Sequence, residues 1–242
     1  MTFHPTVLYY LETVLVTGYF TAMKRTKVLN SPSIRRMPTY LHKLLKMQSE
    51  GRKHVSSTEL AQYMNIESIV VRKDIALTGI EGLRRVGYKV EELIACIKNF
   101  LGWQDRMTAT LIGAGSLGTA LLGYNDFIHY GLHVGSVFDA DPEKIGKVIF
   151  SREIFDIATL EERLQGTVPD IAILCVSSAA AQEVADKVVK LGIRYIWNFA
   201  NVSLQTPPHV TVQREVIAGG LAMLSVKRKM GSLEPGSQMV IE

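Results

Sequence analysis

Residues 109–124 read ATLIGAGSLGTALLGY. Thr110, Leu111 and Ile112 suit a buried parallel strand, and Gly113, Gly115 and Gly118 follow in Gly-x-Gly-x-x-Gly spacing before a helical pattern. In such a turn the first glycine permits the tight reversal and the second lets the backbone approach a pyrophosphate. The third lets helix pack closely on strand, and the helix start offers N–H groups to an anion. Gly113, Ala114, Gly115, Ser116, Leu117 and Gly118 are therefore the candidate cofactor cradle. The next predicted strand, within HVGSVFDAD, ends at Asp139, about 20 residues past the last glycine, where a carboxylate accepts hydrogen bonds from an adenosine ribose. The same charge repels a 2′-phosphate, which favours NAD(H) over NADP(H). Asp141 is the alternate, although its place before Pro142 also suits a turn or helix cap.

Downstream, the pattern completes an open α/β sheet. DIAILCVSS reads as a continuous apolar strand, AAAQEVADKVVKLG as a helix ending at Gly192, and RYIWNFA and HVTVQ as two more strands. A Rossmann-type domain is thus expected over 108–213. A terminal helix over 214–230 would carry Val216, Ile217, Leu221 and Leu224 on its apolar side, with a disordered Gly/Pro/Ser tail over 231–242. No nucleophile and base pair is evident, and a dehydrogenase on this fold also needs a substrate domain. The expectation is a protein that reads its cofactor rather than one that turns over a substrate.

Upstream, the charge changes sign. Residues 1–107 hold 16 Lys+Arg against 9 Asp+Glu, and residues 108–242 hold 11 against 14. A basic first half joined to a mildly acidic second half points to a polyanionic partner. Cys96 and Cys175 lack Cys-x-x-Cys spacing, so a reducing cytoplasm is expected and a structural zinc is not. His129 and His133 lack an accompanying carboxylate, and no metal site is expected. The apolar run within residues 1–30 is broken by Glu12 and Gly18 and reads as neither signal peptide nor membrane anchor. Met23 is a more natural start, which makes residues 1–22 an over-long gene model or an accessory helix.

The basic half has its own organisation over 31–101. Leu41, Leu44, Leu45 and Met47 repeat at helical spacing up to Ser49, with Pro38 confined to early turns or kinking the helix. Ser56 and Glu59 make a capping box, Met64-Asn65-Ile66 a tight turn, and a second helix follows over 67–77. On it Ile69 and Ile75 are expected to face the core while Arg72 and Lys73 project outward. Gly79, Gly82 and Gly87 around Arg84 and Arg85 then suggest a basic hairpin before a helix over 91–101. A helix-turn-helix followed by a basic hairpin is a winged helix, suited to phosphates and grooves of double-stranded DNA. A helical dimerisation domain with a basic surface is the competing reading. The fold class is α/β, an N-terminal winged helix-turn-helix domain followed by a C-terminal Rossmann-type parallel sheet domain.

Over residues 31–230 these stretches resemble the redox-sensing transcriptional repressor Rex family. IRRMPTYLHKLLKM is similar to its first helix, VSSTELAQYMNIESIVVRKDIALTGIEGLRRVGY to its helix-turn-helix and wing, and LIGAGSLGTALLGY with VFDADPEKIGK to its nucleotide site. The resemblance implies a homodimer in which the terminal helix of each subunit crosses into its partner, bound to operator DNA when NADH is scarce and released by NADH. It places Val71, Arg72, Lys73 and Asp74 on the recognition helix, Arg84 and Tyr88 in the wing, and Arg36, Tyr124 and Glu215 in an interdomain polar cluster. The chain departs from the family pattern at Glu215, where aspartate is usual, at Arg85, where glycine is common, and at Ser177 and Asn201, where prolines are common. Gly219-Gly220 is expected to interrupt the terminal helix, each mid-helix glycine costing about 1 kcal/mol relative to alanine. A small NAD-dependent oxidoreductase, and a Rex-like paralogue or CoA-binding-like domain with altered ligand response, are the alternatives.

Overall fold

The computed structural model describes residues 31–231, so the amino-terminal extension and the carboxy-terminal tail lie outside the described residues. The chain divides into two compact units, 1–101 and 102–242.

The first unit opens with helix α1 (Ser31–Ser49), which buries Met37, Tyr40, Leu41, Leu44 and Met47 at spacings of three and four. Pro38 sits at its eighth position and does not divide it. Strand β1 (His54–Val55) leads to α2 (Ser57–Met64), where the Ser56 hydroxyl accepts from the Glu59 N–H at 3.0 Å. The reciprocal half of the expected capping box is absent, because the Glu59 carboxylate pairs with Arg52 at 3.0 Å. Asn65 closes α2 in the left-handed region (φ 54°), which short polar side chains tolerate, and α3 (Ser68–Ala76) follows.

One expectation fails here. Ile69 does not face the core: it is 44% exposed, and α3 buries Val71, Asp74 and Ile75 instead. Val71 and Ile75, one turn apart, define the buried stripe, and at about 100° per residue Ile69 lies about 200° round from Val71. The wing folds back by a bridge between Leu83 and Gly87, and β2 (Tyr88–Lys89) pairs antiparallel with β1. Gly87 is required there, since its φ is +93° and a Cβ would meet the Val55 carbonyl oxygen at 2.2 Å. Helix α4 (Val90–Leu101) closes the unit with Val90, Leu93, Ile94 and Ile97 buried.

In the second unit β3 (Met107–Ile112), α5 (Ser116–Leu122), a 3-10 turn (Asn125–Tyr130) and β4 (Leu132–Asp139) come first. There follow β5 (Val148–Ile149), β6 (Arg152–Asp156), α6 (Leu160–Leu164), β7 (Ile171–Leu174), α7 (Ala181–Lys190), β8 (Tyr195–Asn198) and β9 (Thr211–Arg214). The sheet runs β5-β6-β4-β3-β7-β8-β9, parallel except for β5. Without β5 this is the doubly wound order 3-2-1-4-5-6, whose direction reverses between β3 and β7. Alternate residues feed two cores. Leu111, Val137 and Ile173 lie in one cluster, and their neighbours Ile112, Phe138 and Leu174 in the other.

Helix α8 (Ala218–Gly231) corrects the reading of the terminal helix twice. It starts after Val216 and Ile217, and Gly219 and Gly220 sit in its first turn rather than interrupting it. At a helix end a glycine's extra backbone freedom weakens fewer intrahelical hydrogen bonds than it would in the interior. Leu221, Met223, Leu224 and Val226 are exposed along it. Among the described residues no helix is long and apolar enough to cross a membrane, and no cluster of His, Cys, Asp and Glu is placed to hold a metal.

Candidate functional site: a glycine turn and a basic helix face

The reversal between β3 and β7 puts the glycine turn at the carboxyl ends of the strands, where open α/β sheets take ligands. Its glycines differ in what forces them. Gly113 has φ +102°, and a Cβ there would meet the Cys175 carbonyl oxygen at 2.5 Å. At Gly118 a Cβ would meet the Gly113 carbonyl oxygen at 2.0 Å, so α5 sits against the turn itself. Gly115 faces open space, as it must if a ligand is to approach the backbone. Ala114 is buried, Leu117 half-buried and Ser116 exposed at the start of α5.

Asp139, at the end of β4, is nearly buried and tied into this turn. Its carboxylate accepts from the Ala114 N–H at 2.7 Å, the Asp141 N–H at 2.9 Å and the Lys144 ammonium at 3.2 Å. Burial alone would raise its pKa, but the hydrogen bonds from Asp141, Lys144 and Ala114 outweigh that and hold the carboxyl below the usual aspartate range. Beyond the ribose-binding role its position predicts, Asp139 orders the turn, a role with no signature in the glycine spacing. Asp141 accepts from the Glu143 N–H at 3.0 Å and pairs with Lys144 at 3.4 Å, the turn role expected of a residue before proline. Lys144 was missed altogether. Its signal was a cation three residues from Asp141 and five from Asp139.

Tyr124 and Glu215 stand at the two ends of a run of contacts. The Tyr124 ring meets Phe127 edge-on at 4.9 Å, Phe127 meets Trp197 at 5.8 Å, and the Trp197 indole N–H donates to Glu215 at 3.2 Å. The Gln213 side chain donates to the same carboxylate at 3.2 Å. Arg36 is engaged inside the first unit, where its guanidinium holds Asp74 of α3 at 2.7 and 2.9 Å and the Tyr40 hydroxyl donates to the same carboxylate at 2.8 Å.

On the basic unit Arg72 and Lys73 are exposed on α3, and Arg84 and Arg85 are exposed in the wing. Among the described residues none of the four pairs with a carboxylate. Tyr88 is half-buried in β2. Its ring lies about 3.0 Å from where a Gly82 Cβ would be. Arg85 occupies the left-handed region (φ 65°), where a side chain costs about 1–2 kcal/mol. Arg85→Gly is therefore expected to raise the melting temperature slightly. If the arginine neutralises a phosphate, it should also lower the salt slope of DNA binding by about one unit per wing. Thermal unfolding and anisotropy titrations over a range of salt measure both.

The two halves match separate family models, a CoA binding domain over residues 105–202 and a putative DNA-binding protein N-terminus over residues 30–76. The redox-sensing transcriptional repressor Rex of Treponema denticola is 45% identical over 204 residues, covering 84% of this chain and 97% of the relative. The chain belongs to the Rex family. Rex of Clostridioides difficile is 35% identical over 209 residues, 86% of this chain and all of the relative. Among solved structures, RSP, a Rex-family repressor, matches in complex with β-NAD+ and operator DNA. That match has a TM-score of 0.76 and 31% identity, covering 86% of this chain and 96% of that one. RSP in complex with β-NADH matches with a TM-score of 0.75 and 30% identity, covering 86% and 98%. Rex membership accounts for both halves at once and sets aside the oxidoreductase alternative.

Proposed function

We propose that this protein is a DNA-binding transcriptional repressor that senses the NADH/NAD ratio and leaves its operator when NADH binds. The observation that carries it is the pairing, in one chain, of a recognition helix with unpaired cations and a glycine turn ordered by a ribose-type aspartate. RSP, solved with operator DNA and with both nicotinamide cofactors, supports the reading. When bound, the cofactor supplies no chemistry here beyond its contacts. Gly113 to Gly118 would hold the pyrophosphate and Asp139 the adenosine ribose.

A single recognition helix per subunit calls for a homodimer on paired half-sites. The exposed apolar residues of α8, with Val216 and Ile217 before it, are the surface that a second subunit would cover. The free Cys96 and Cys175 suit a reducing cytoplasm. Arg36, Tyr124 and Glu215 are assigned to coupling. Arg36 is anchored to the recognition helix through Asp74, and the Tyr124–Phe127–Trp197–Glu215 run connects the end of the glycine-turn helix with the segment leading into α8. A ligand moves such an equilibrium only by its differential affinity for the two states.

The test is operator release followed by anisotropy across concentrations of NADH, NAD, NADPH and CoA. The wild type should release only with NADH. Asp139→Asn keeps the shape of the carboxylate but not its charge, and should weaken NADH binding by about 1.5–3 kcal/mol, the worth of a hydrogen bond to a charged group. Its operator affinity without ligand should be unchanged. A wild type that holds its operator equally at zero and saturating NADH would refute the reading.

A further inference from the structure

Helix α3 turns one face to solvent, made of Ile69, Arg72, Lys73 and Ala76 at positions i, i+3, i+4 and i+7. Val71, Asp74 and Ile75 are buried on the opposite side. The two cations suit phosphates and guanine edges, and alanine lets a helix approach a groove floor. Isoleucine is the member that needs a reason. A single exposed apolar residue on a protein surface is ordinary. This one lies one turn ahead of two unpaired cations on the same face, in the first turn of the recognition helix, where such helices reach base edges. Its β-branched side chain has little rotamer freedom to lose on contact. In the major groove the apolar feature on offer is the C5 methyl group of thymine.

We propose that Ile69 is a specificity-determining residue that reads a thymine methyl in each operator half-site. The inference rests on the repressor reading above, in which α3 enters the major groove, and adds to it a base preference that Arg72 and Lys73 do not supply. Burying one methyl group is worth roughly a fourfold change in affinity, so two symmetric contacts are worth about sixteenfold.

The experiment uses the full-length protein. Its operator is selected from a randomised duplex library, and each thymine of the consensus is replaced, symmetrically in both half-sites, by deoxyuridine, which lacks only the methyl. Affinities are measured for wild type, Ile69→Val and Ile69→Ala. At one thymine position uracil should weaken the wild type about sixteenfold. Ile69→Ala should bind the thymine and uracil duplexes equally at that position, and Ile69→Val should keep part of the discrimination. A consensus in which no thymine is sensitive to uracil overturns the proposal alone, as does an equal uracil penalty in Ile69→Ala. So does a loss of affinity for random duplex as large as that for operator, because the residue would then be acting in folding or phosphate binding. Selection that yields no consensus overturns the repressor reading and this proposal with it.

Discussion

Replacing Arg72 and Lys73 together with alanine is expected to remove specific operator binding while leaving the protein folded. Both side chains are exposed, unpaired and clear of the stripe formed by Val71, Asp74 and Ile75, so neither contributes to the core. A good bidentate base contact is worth about 1–3 kcal/mol, and each is made twice on a two-fold site. The pair should therefore lower affinity by several orders of magnitude, down to the level of random duplex. Circular dichroism should be unchanged, and NADH titration should give the wild-type isotherm. Sequence-specific binding that survives the double substitution would mean that α3 is not the recognition helix.

The second large effect falls on stability. Asp74 has 1% of its side chain exposed, and Arg36 donates to its two oxygens through Nε and Nη2. Arg36→Met keeps the stem but strands a buried carboxylate with only Tyr40 and Ser33 nearby, and should destabilise the winged-helix unit by about 3–5 kcal/mol. Adding Asp74→Leu should restore most of that, because an apolar pair of similar volume removes the stranded charge. The pH dependence separates the cases. In the wild type burial pushes the Asp74 carboxyl up, but hydrogen bonds from Arg36, Ser33 and Tyr40 prevail and hold it below the ordinary value of 3.8. Its contribution is thus fully present above that value and is lost as the pH falls through the depressed folded-state pKa. In Arg36→Met burial dominates, the carboxyl rises, and the deficit should shrink as the solution is acidified toward pH 4 (about the ordinary aspartate range). Urea unfolding of the three proteins at several pH values measures both effects.

Legibility in the sequence followed local chemistry. The glycine spacing, Asp139 and the Ser56 cap each demand one geometry of the backbone, and each is found where the residues place it. The strands of the switch point were readable because they are apolar on both faces. The stretch 148–164 was not, because β5 is two residues long and charged residues break up β6 and α6. Ile69 was misplaced because an isoleucine in a helix reads as core until the phase of Val71 and Ile75 fixes the face. Lys144 and Trp197 went unnoticed for another reason. Trp197 acts through Phe127 and Glu215 on other elements, and Lys144 through carboxylates three and five residues before it, and neither pairing shows in hydrophobic periodicity. The same holds for Arg36, whose partner Asp74 lies 38 residues away.

The hydrogen bond from the Ala114 N–H to Asp139 has a kinetic meaning. It ties the first turn after β3 to the end of β4 before any nucleotide arrives, so the backbone proposed to take the phosphates is held in place by the protein itself. A ligand entering such a site has little chain entropy to freeze there. Its association at the cradle should resemble docking to a rigid surface, with a single fast phase whose rate is linear in ligand concentration. Any slower, saturating phase would then report motion outside the cradle, and stopped-flow traces would separate capture of the cofactor from the response that follows it.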